Sequence, residues 1–358
     1  MMTGGLDGEL ASPRTHATGV CISGVGAELP PTVISTAEVE ERAGLQRFGF
    51  EPGWLERVTG VRERRWADTE VQPSQLAAQA GAKALADAKA DPLQVDALLF
   101  TGITRDFLEP AVANVVAETL GTRRARVFDL VNACNGLIDG VDVADSLIRS
   151  GKARRVLVTT GERASLGCNW QPRTAEEVVL SVAGLVVGDG GGAVVVEATD
   201  EPGRGLRARE FRTDATQWRH AIGGRFHPTE PCSVCGRIVT MAFLCHGREL
   251  FEASFALMFP MMITVMERSG WGPRDLDAVF CHLPSKRFIE NAISHIGGFA
   301  KFASKLWSNV ERVGNMSTCT LPLAMAEAQE AGVLVPGAKV LILAPSSGIS
   351  AAAATLVW

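Results

Sequence analysis

The run FDLVNAC ends at Cys134, and the residues after it, Leu137, Ile138, Val141, Ala144, Leu147 and Ile148, repeat at helical spacing. They give that helix its buried face. A thiol placed at a strand end and a helix N-terminus meets unpaired backbone N–H groups and the positive end of the helix dipole. Both favour the thiolate, the form that attacks a carbonyl carbon. The alternative is an inert, buried structural cysteine. His282 closes the apolar run AVFC, so a strand carries it to an edge where it can meet other strand ends. It can equally be a core histidine held by a backbone carbonyl. Asn315 follows Gly314 in RVGNMST, and an asparagine there is also an ordinary turn residue. Taken singly, each of the three has a structural reading beside the chemical one.

Two other patterns carry less. PCSVCGR, with Cys232 and Cys235, together with Cys245-His246, has the residue types of a zinc site. A single CxxC is only half of one, and no metal is expected. GDGGGA lacks both the lysine of a phosphate-binding P-loop and the GxGxxG spacing, and reads as a tight structural turn.

The elements that position these residues alternate between buried strands and helices, the pattern of an α/β architecture. GVCISGVGAEL, VDALLFTGI, RVFDLVNA and RRVLVTTGE read as strands, and LVVGDGGGAVVVEA as two apolar runs around a Gly-rich bend. SQLAAQAGAKALADA, AVANVVAETLG (ending at Gly121) and NGLIDGVDVADSLIRSG read as helices. The plan recurs: helix RELFEASFALMFPMMITVMERSGW, strand DAVFCHL, helices RFIENAISHIGG and TLPLAMAEAQEAGVL, then strands KVLILAPSSG and SAAAATLVW. The expected organisation is a loose tail at 1–17, one half at 18–199, an irregular loop or lid at 200–245, and a second half at 246–358.

Bulk composition bounds the possibilities. The chain has 358 residues, 46% hydrophobic and 21% charged, with a net charge of −5. No basic stripe points to nucleic acid. No apolar run reads as long enough to span a bilayer, and the polar N-terminus lacks the apolar region of a secretory signal. Eight scattered cysteines without an export signal read as reduced thiols of a cytoplasmic protein.

Order and surroundings then bring the three residues together. PGWLERVTGVRERRWAD, DLVNACNG, VVGDGGGA, HGRELFEAS, CHLPSKRFI, VGNMSTCTLPLA and SSGISAAAATLVW occur in the order of the thiolase superfamily, and the chain resembles its β-ketoacyl-acyl-carrier-protein synthase III branch from Gly19 to Trp358. The resemblance implies an α/β thiolase fold, five-layered αβαβα and built from two similar halves, in an obligate homodimer. It also implies a catalytic set of Cys134, His282 and Asn315. Cys134 would carry the acyl group. His282 and Asn315 would donate to the thioester oxygen of a second substrate, and the backbone N–H groups of Cys134 and Gly348, in the Ser347-Gly348 turn, would form the oxyanion hole. No permanently bound cofactor is implied; the substrates are acyl-CoA or acyl-carrier-protein thioesters.

Three departures matter. The family's His-Gln-Ala-Asn run is His282-Leu283-Pro284-Ser285 here, with Arg287 keeping the basic position after it. The coenzyme A arginine expected four residues after Trp54 is replaced by Val58, with Arg57 one place early. Trp54, Arg57 and Arg287 are the candidate substrate-binding residues, and a carrier-protein donor is as open as coenzyme A. TRDFLEPA, followed by VNAC, resembles the olefin-pathway thiolases that join two acyl chains head to head. The resemblance makes Glu109 a general base reaching the partner subunit's site. A malonyl donor forms its carbanion by losing carbon dioxide, whereas an ordinary acyl thioester must lose an α-proton. The other reading of Glu109 is a first-turn acid capping a helix that begins near Pro110.

The resulting expectation is a condensing acyltransferase that forms a carbon–carbon bond in fatty-acid-like or natural-product biosynthesis. Acyl transfer to an oxygen or nitrogen nucleophile, and malonyl-dependent condensation, are the alternatives.

Overall fold

Unbroken apolar runs become the inner strands of two five-stranded sheets in the computed structural model, which describes residues 19–224, 242–295 and 300–358. The expected tail at 1–17 and the pair Cys232 and Cys235 lie outside the described residues. The first sheet contains β1 (Gly19–Glu28), β2 (Ala97–Phe100), β3 (Arg126–Asp129), β4 (Arg155–Glu162) and β5 (Gly190–Thr199), in the order β1-β5-β4-β2-β3. The second contains β6 (Gly205–Thr213), β7 (Ala278–Cys281), β8 (Leu306–Trp307), β9 (Lys339–Ser346) and β10 (Ser350–Val357), in the order β6-β10-β9-β7-β8. In each sheet the first two pairings are antiparallel and the last two parallel. Order and direction therefore coincide strand for strand, as two versions of one plan require.

Six helices complete the layers: α1 (Pro73–Asp87), α2 (Ala113–Leu120), α3 (Gly136–Arg149), α4 (Gly247–Ser269), α5 (Lys286–His295) and α6 (Thr320–Glu330). The period-2 alternation of the strands decides which helix each face meets. Leu98 and Phe100 of β2 point outward to α1 and α2, while Leu99 between them points inward. The inner faces of both sheets close on α3 and α6, where Ile138, Val141, Leu321 and Met325 share one core with Val158, Val194, Phe280 and Ile342. Val279, Leu341 and Leu343 face outward onto Met258, Met262 and Val265 of α4 and Phe288 of α5. The result is the five-layered αβαβα thiolase arrangement.

The structure corrects the sequence reading in three places. Residues 200–245 are not an irregular lid throughout, because Gly205–Thr213 forms β6, paired along its length with β10. The second half therefore begins at 205 rather than 246; residues 225–241 lie outside the described residues. The glycines of GDGGGA start β5 rather than forming a turn. A Cβ on Gly191 would lie 2.1 Å from the Leu76 carbonyl oxygen of α1, and one on Gly192 2.2 Å from Pro322 of α6, so β5 is squeezed between helices on both faces. Finally, α4 has 23 residues and by length and composition alone could cross a membrane. Here its methionines pack on the second sheet in the place that α1 takes on the first.

Candidate active site

β3 and α3 deliver Cys134. The connection between them is tight: the N–H groups of Asn135 and Gly136 donate to the carbonyls of Asn132 and Ala133 at 3.0 and 3.1 Å. The thiol is half-buried. The Ser317 hydroxyl lies 3.7 Å from Sγ, and the Ser346 hydroxyl, buried and without another partner, also faces it. Burial pushes the Cys134 thiol up to about 11; the Ser317 and Ser346 hydroxyls act against this, and the charge of Glu162 adds to it. Burial therefore opposes the helix N-terminus, which favours the thiolate, and holds the resting group toward the neutral thiol.

His282 follows β7 directly. Its backbone N–H donates to the Leu343 carbonyl at 2.9 Å and extends the pairing with β9, which fixes the side chain at the sheet edge. The imidazole is 4% exposed, and burial drives its pKa down to about 4, so the ring is neutral. Nδ1 lies 3.2 Å from the Thr320 hydroxyl at the start of α6. With Thr320 donating to Nδ1, the ring proton sits on Nε2, which makes that nitrogen a donor.

Asn315 is held on three sides. Its N–H donates to Val186, its carbonyl accepts from Gly188, and its side-chain Oδ1 accepts from the Ser317 N–H, each at 2.9 Å. With Oδ1 so engaged, the amide NH2 is the end turned to donate. Gly314 makes the approach possible: its φ is 69°, and a Cβ there would meet the Val186 carbonyl at 2.3 Å. The turn from 315 to 320 thus carries Asn315, Ser317 against Cys134, and Thr320 against His282.

The Ser347-Gly348 turn closes the β9–β10 hairpin, with Ser346 paired to Ser350. Asn135, next to Cys134, donates to the Ser350 hydroxyl at 3.1 Å and ties this turn to the thiol's loop. Cys134, His282, Asn315 and Gly348 thus come from strand ends and turns linked by Ser317, Thr320 and Asn135. A neutral thiol, a neutral imidazole and an amide suit acyl chemistry, in which charge develops on the substrate and is met by fixed N–H donors.

Arg57 and Arg287 meet at the surface, while Trp54 is half-buried against the cluster that holds Leu55 and Leu185. Trp54 opens the short helix Trp54–Thr59, and the Arg287 guanidinium of α5 donates to the Arg57 carbonyl at 3.1 Å while pairing with Glu290. Leu283 is buried in the core beneath α4 and α5, and the Ser285 hydroxyl accepts from the Phe288 N–H at 3.3 Å, capping α5. Among the described residues, no group of three His, Cys, Asp or Glu side chains could hold a metal ion.

Glu109 is exposed on the loop between β2 and α2. It does not cap α2, whose first residue is Ala113; Asp129 accepts from the N–H groups of Val112 and Ala113, both at 2.9 Å. The helix-cap reading of Glu109 is therefore wrong. Asp129 also pairs with Arg105. Asp106 accepts from the backbone and hydroxyl of Ser74 at 3.0 and 2.5 Å, and Glu162 accepts from the N–H groups of Ile103 and Thr104 at 3.0 and 3.1 Å. Three carboxylates pin the loop, and its apex projects, with Phe107 and Leu108 exposed at 37% and 69% beside Glu109.

Sequence reasoning passed over Ser317, Ser346, Thr320 and Glu162. The hydroxyl-rich run STCT after Asn315 was the one local signal for two of them.

A model of 3-oxoacyl-[acyl-carrier-protein (ACP)] synthase III matches residues 128–215, and the model of its C-terminal part matches residues 266–358. The chain is 31% identical over 342 residues to the β-ketoacyl-[acyl-carrier-protein] synthase III of Desulfitobacterium hafniense, across 95% of this chain and 98% of that one. It is also 31% identical to the enzyme of that name from Roseiflexus castenholzii, over 94% and 97% of the two chains. Among solved structures, OleA of Xanthomonas campestris superposes with a TM-score of 0.85 at 25% identity, covering 96% of this chain and all 100% of that one. The 3-oxoacyl-[acyl-carrier-protein] synthase III of Aquifex aeolicus VF5 gives 0.80 at 28%, covering 95% and 100%.

Proposed function

As the chain belongs to the 3-oxoacyl-[acyl-carrier-protein] synthase III family of condensing acyltransferases, we propose that it loads an acyl group on Cys134 and joins it to a second acyl thioester without decarboxylation. In the first step the Cys134 sulfur attacks the thioester carbonyl. A Cys134–acyl bond forms, the donor's carbon–sulfur bond breaks, and the cysteine proton leaves with the departing thiol. The N–H groups of Cys134 and Gly348 receive the oxyanion.

In the second step Glu109 of a neighbouring copy removes the α-proton of the second thioester. His282 and Asn315 donate to the enolate oxygen, and the carbanion attacks the acyl-enzyme carbonyl. The Cys134 thiolate departs and regains a proton, leaving a β-ketoacyl thioester.

The observation that carries this reading is the pinned loop with Glu109 at its apex between exposed apolar side chains. A carboxylate so presented suits a site completed by a second copy, in which Phe107 and Leu108 are covered and Glu109 enters an apolar channel. OleA of Xanthomonas campestris has been solved with lauric acid and lauroyl-CoA, which favours acyl-CoA donors for this chain as well.

Product analysis tests the proposal. With acyl-CoA alone, a β-ketoacyl thioester twice the donor's length is expected, and Glu109→Gln lowers its rate by about 100-fold. Product that forms only with malonyl thioester supports the decarboxylative reading instead, and acyl transfer to water-soluble alcohols or amines supports the third.

A further inference from the structure

Glu162 is the last residue of β4 and is fully buried. No step above uses it. Its two oxygens receive four donors from two different segments. Oε1 accepts from the Ile103 N–H at 3.0 Å and the Thr318 hydroxyl at 2.6 Å. Oε2 accepts from the Thr104 N–H at 3.1 Å and the Thr104 hydroxyl at 2.9 Å. Ile103 and Thr104 begin the loop that presents Glu109. Thr318 sits in the turn that carries Asn315, Ser317 and Thr320. A second hydroxyl, that of Thr160, braces Thr318 from the same strand.

A buried carboxylate is costly unless every lone pair is satisfied, and here four donors satisfy it. Neutral residues would form an ordinary core at lower desolvation cost, so the acid at this position needs a reason beyond stability. Its reach supplies one, because a single rigid side chain spans the gap between the loop and the turn.

We infer that Glu162 is a positioning residue that locks the Glu109 loop and the Asn315–Thr320 turn into one unit, fixing the proton-removing loop relative to the enolate-binding turn. The catalytic consequence rests on the proposed role of Glu109; the mechanical coupling does not. In a dimer whose loops serve the neighbouring site, the same strut joins each protomer's own donors to the base it lends.

Thr318→Val tests the coupling with least disturbance, since it cuts the turn end of the strut and leaves the bonds from Glu162 to Ile103 and Thr104 in place. Hydrogen exchange of the intact enzyme is measured over residues 103–112. The expected result is exchange faster by about fivefold in that loop, although the altered residue lies in the other segment. Unchanged exchange there overturns the inference. Acyl loading and condensation are then compared in Thr318→Val and Glu162→Gln.

Positioning predicts condensation kcat lower by about tenfold, with KM for the second thioester and the loading rate each within about threefold. Equal losses in both half-reactions mark a general structural role and overturn it. Should Glu162→Gln fail to fold, Thr318→Val alone decides. If Glu109→Gln leaves condensation unchanged, the base reading fails, while the exchange result still decides the strut.

Discussion

Lowering the pH isolates the state of His282. A buried imidazole with a folded pKa of about 4, against 6.5 in the unfolded chain, makes folding favour the neutral ring. The folded pKa is depressed, so the stabilisation is fully present above the unfolded value and is lost as pH falls through 6.5 toward 4. Between pH 7.5 and 4.5 that single group removes about 2 to 3 kcal/mol of stability. Other carboxylates titrate over the same range, so the measurement is a difference. Urea unfolding of the wild type and of His282→Gln is compared at both pH values. The wild type is expected to lose about 2 to 3 kcal/mol more than the variant. In parallel, 15N-imidazole NMR should show a neutral ring throughout pH 5.5–8, protonated at Nε2 where the Thr320 hydroxyl donates to Nδ1. Equal losses in the two proteins, or a ring that titrates near 6.5, would refute the neutral-donor account.

Three further outcomes follow from the geometry. Alkylation of Cys134 by iodoacetamide should accelerate about tenfold per pH unit between pH 7 and 10, because burial pushes the thiol up to about 11; a plateau below pH 8 contradicts this. Thr320→Val removes the hydroxyl at His282 Nδ1, so condensation should slow by about tenfold while acyl loading, followed by intact mass, stays within about threefold; equal slowing of both goes against it. Gly161→Ala would place a Cβ 1.9 Å from the Pro73 carbonyl oxygen of α1, and thermal unfolding should register a loss of about 3 kcal/mol; an unchanged transition contradicts this.

The layered fold was legible because most of its strands are apolar runs and its helices carry clear periodicity. β6 was not, since GLRAREFRT mixes four charges into a nine-residue edge strand and offers no apolar run. The Gly-rich start of β5 was misread because glycine signals a turn and a close approach equally well; which applies depends on α1 and α6, elements far away in sequence. In the site, Cys134, His282 and Asn315 could be named from motif order. The state of the thiol and the imidazole could not, because the burial that acts on both comes from layers far away in sequence. Glu162 was invisible for a related reason: a glutamate ending the run RRVLVTTGE shows nothing until Thr318, more than 150 positions on, donates to it.

In the proposed cycle Cys134 carries the acyl group and passes it to a carbon nucleophile. Intact-mass measurement after mixing with an acyl-CoA, followed by a chase with a second acyl-CoA, tests this most directly. One acyl adduct per chain is expected, mapping to Cys134, absent in Cys134→Ala, and lost on chase as β-keto product forms. An adduct that persists in Cys134→Ala, or one that the chase converts only to free acid, would contradict it.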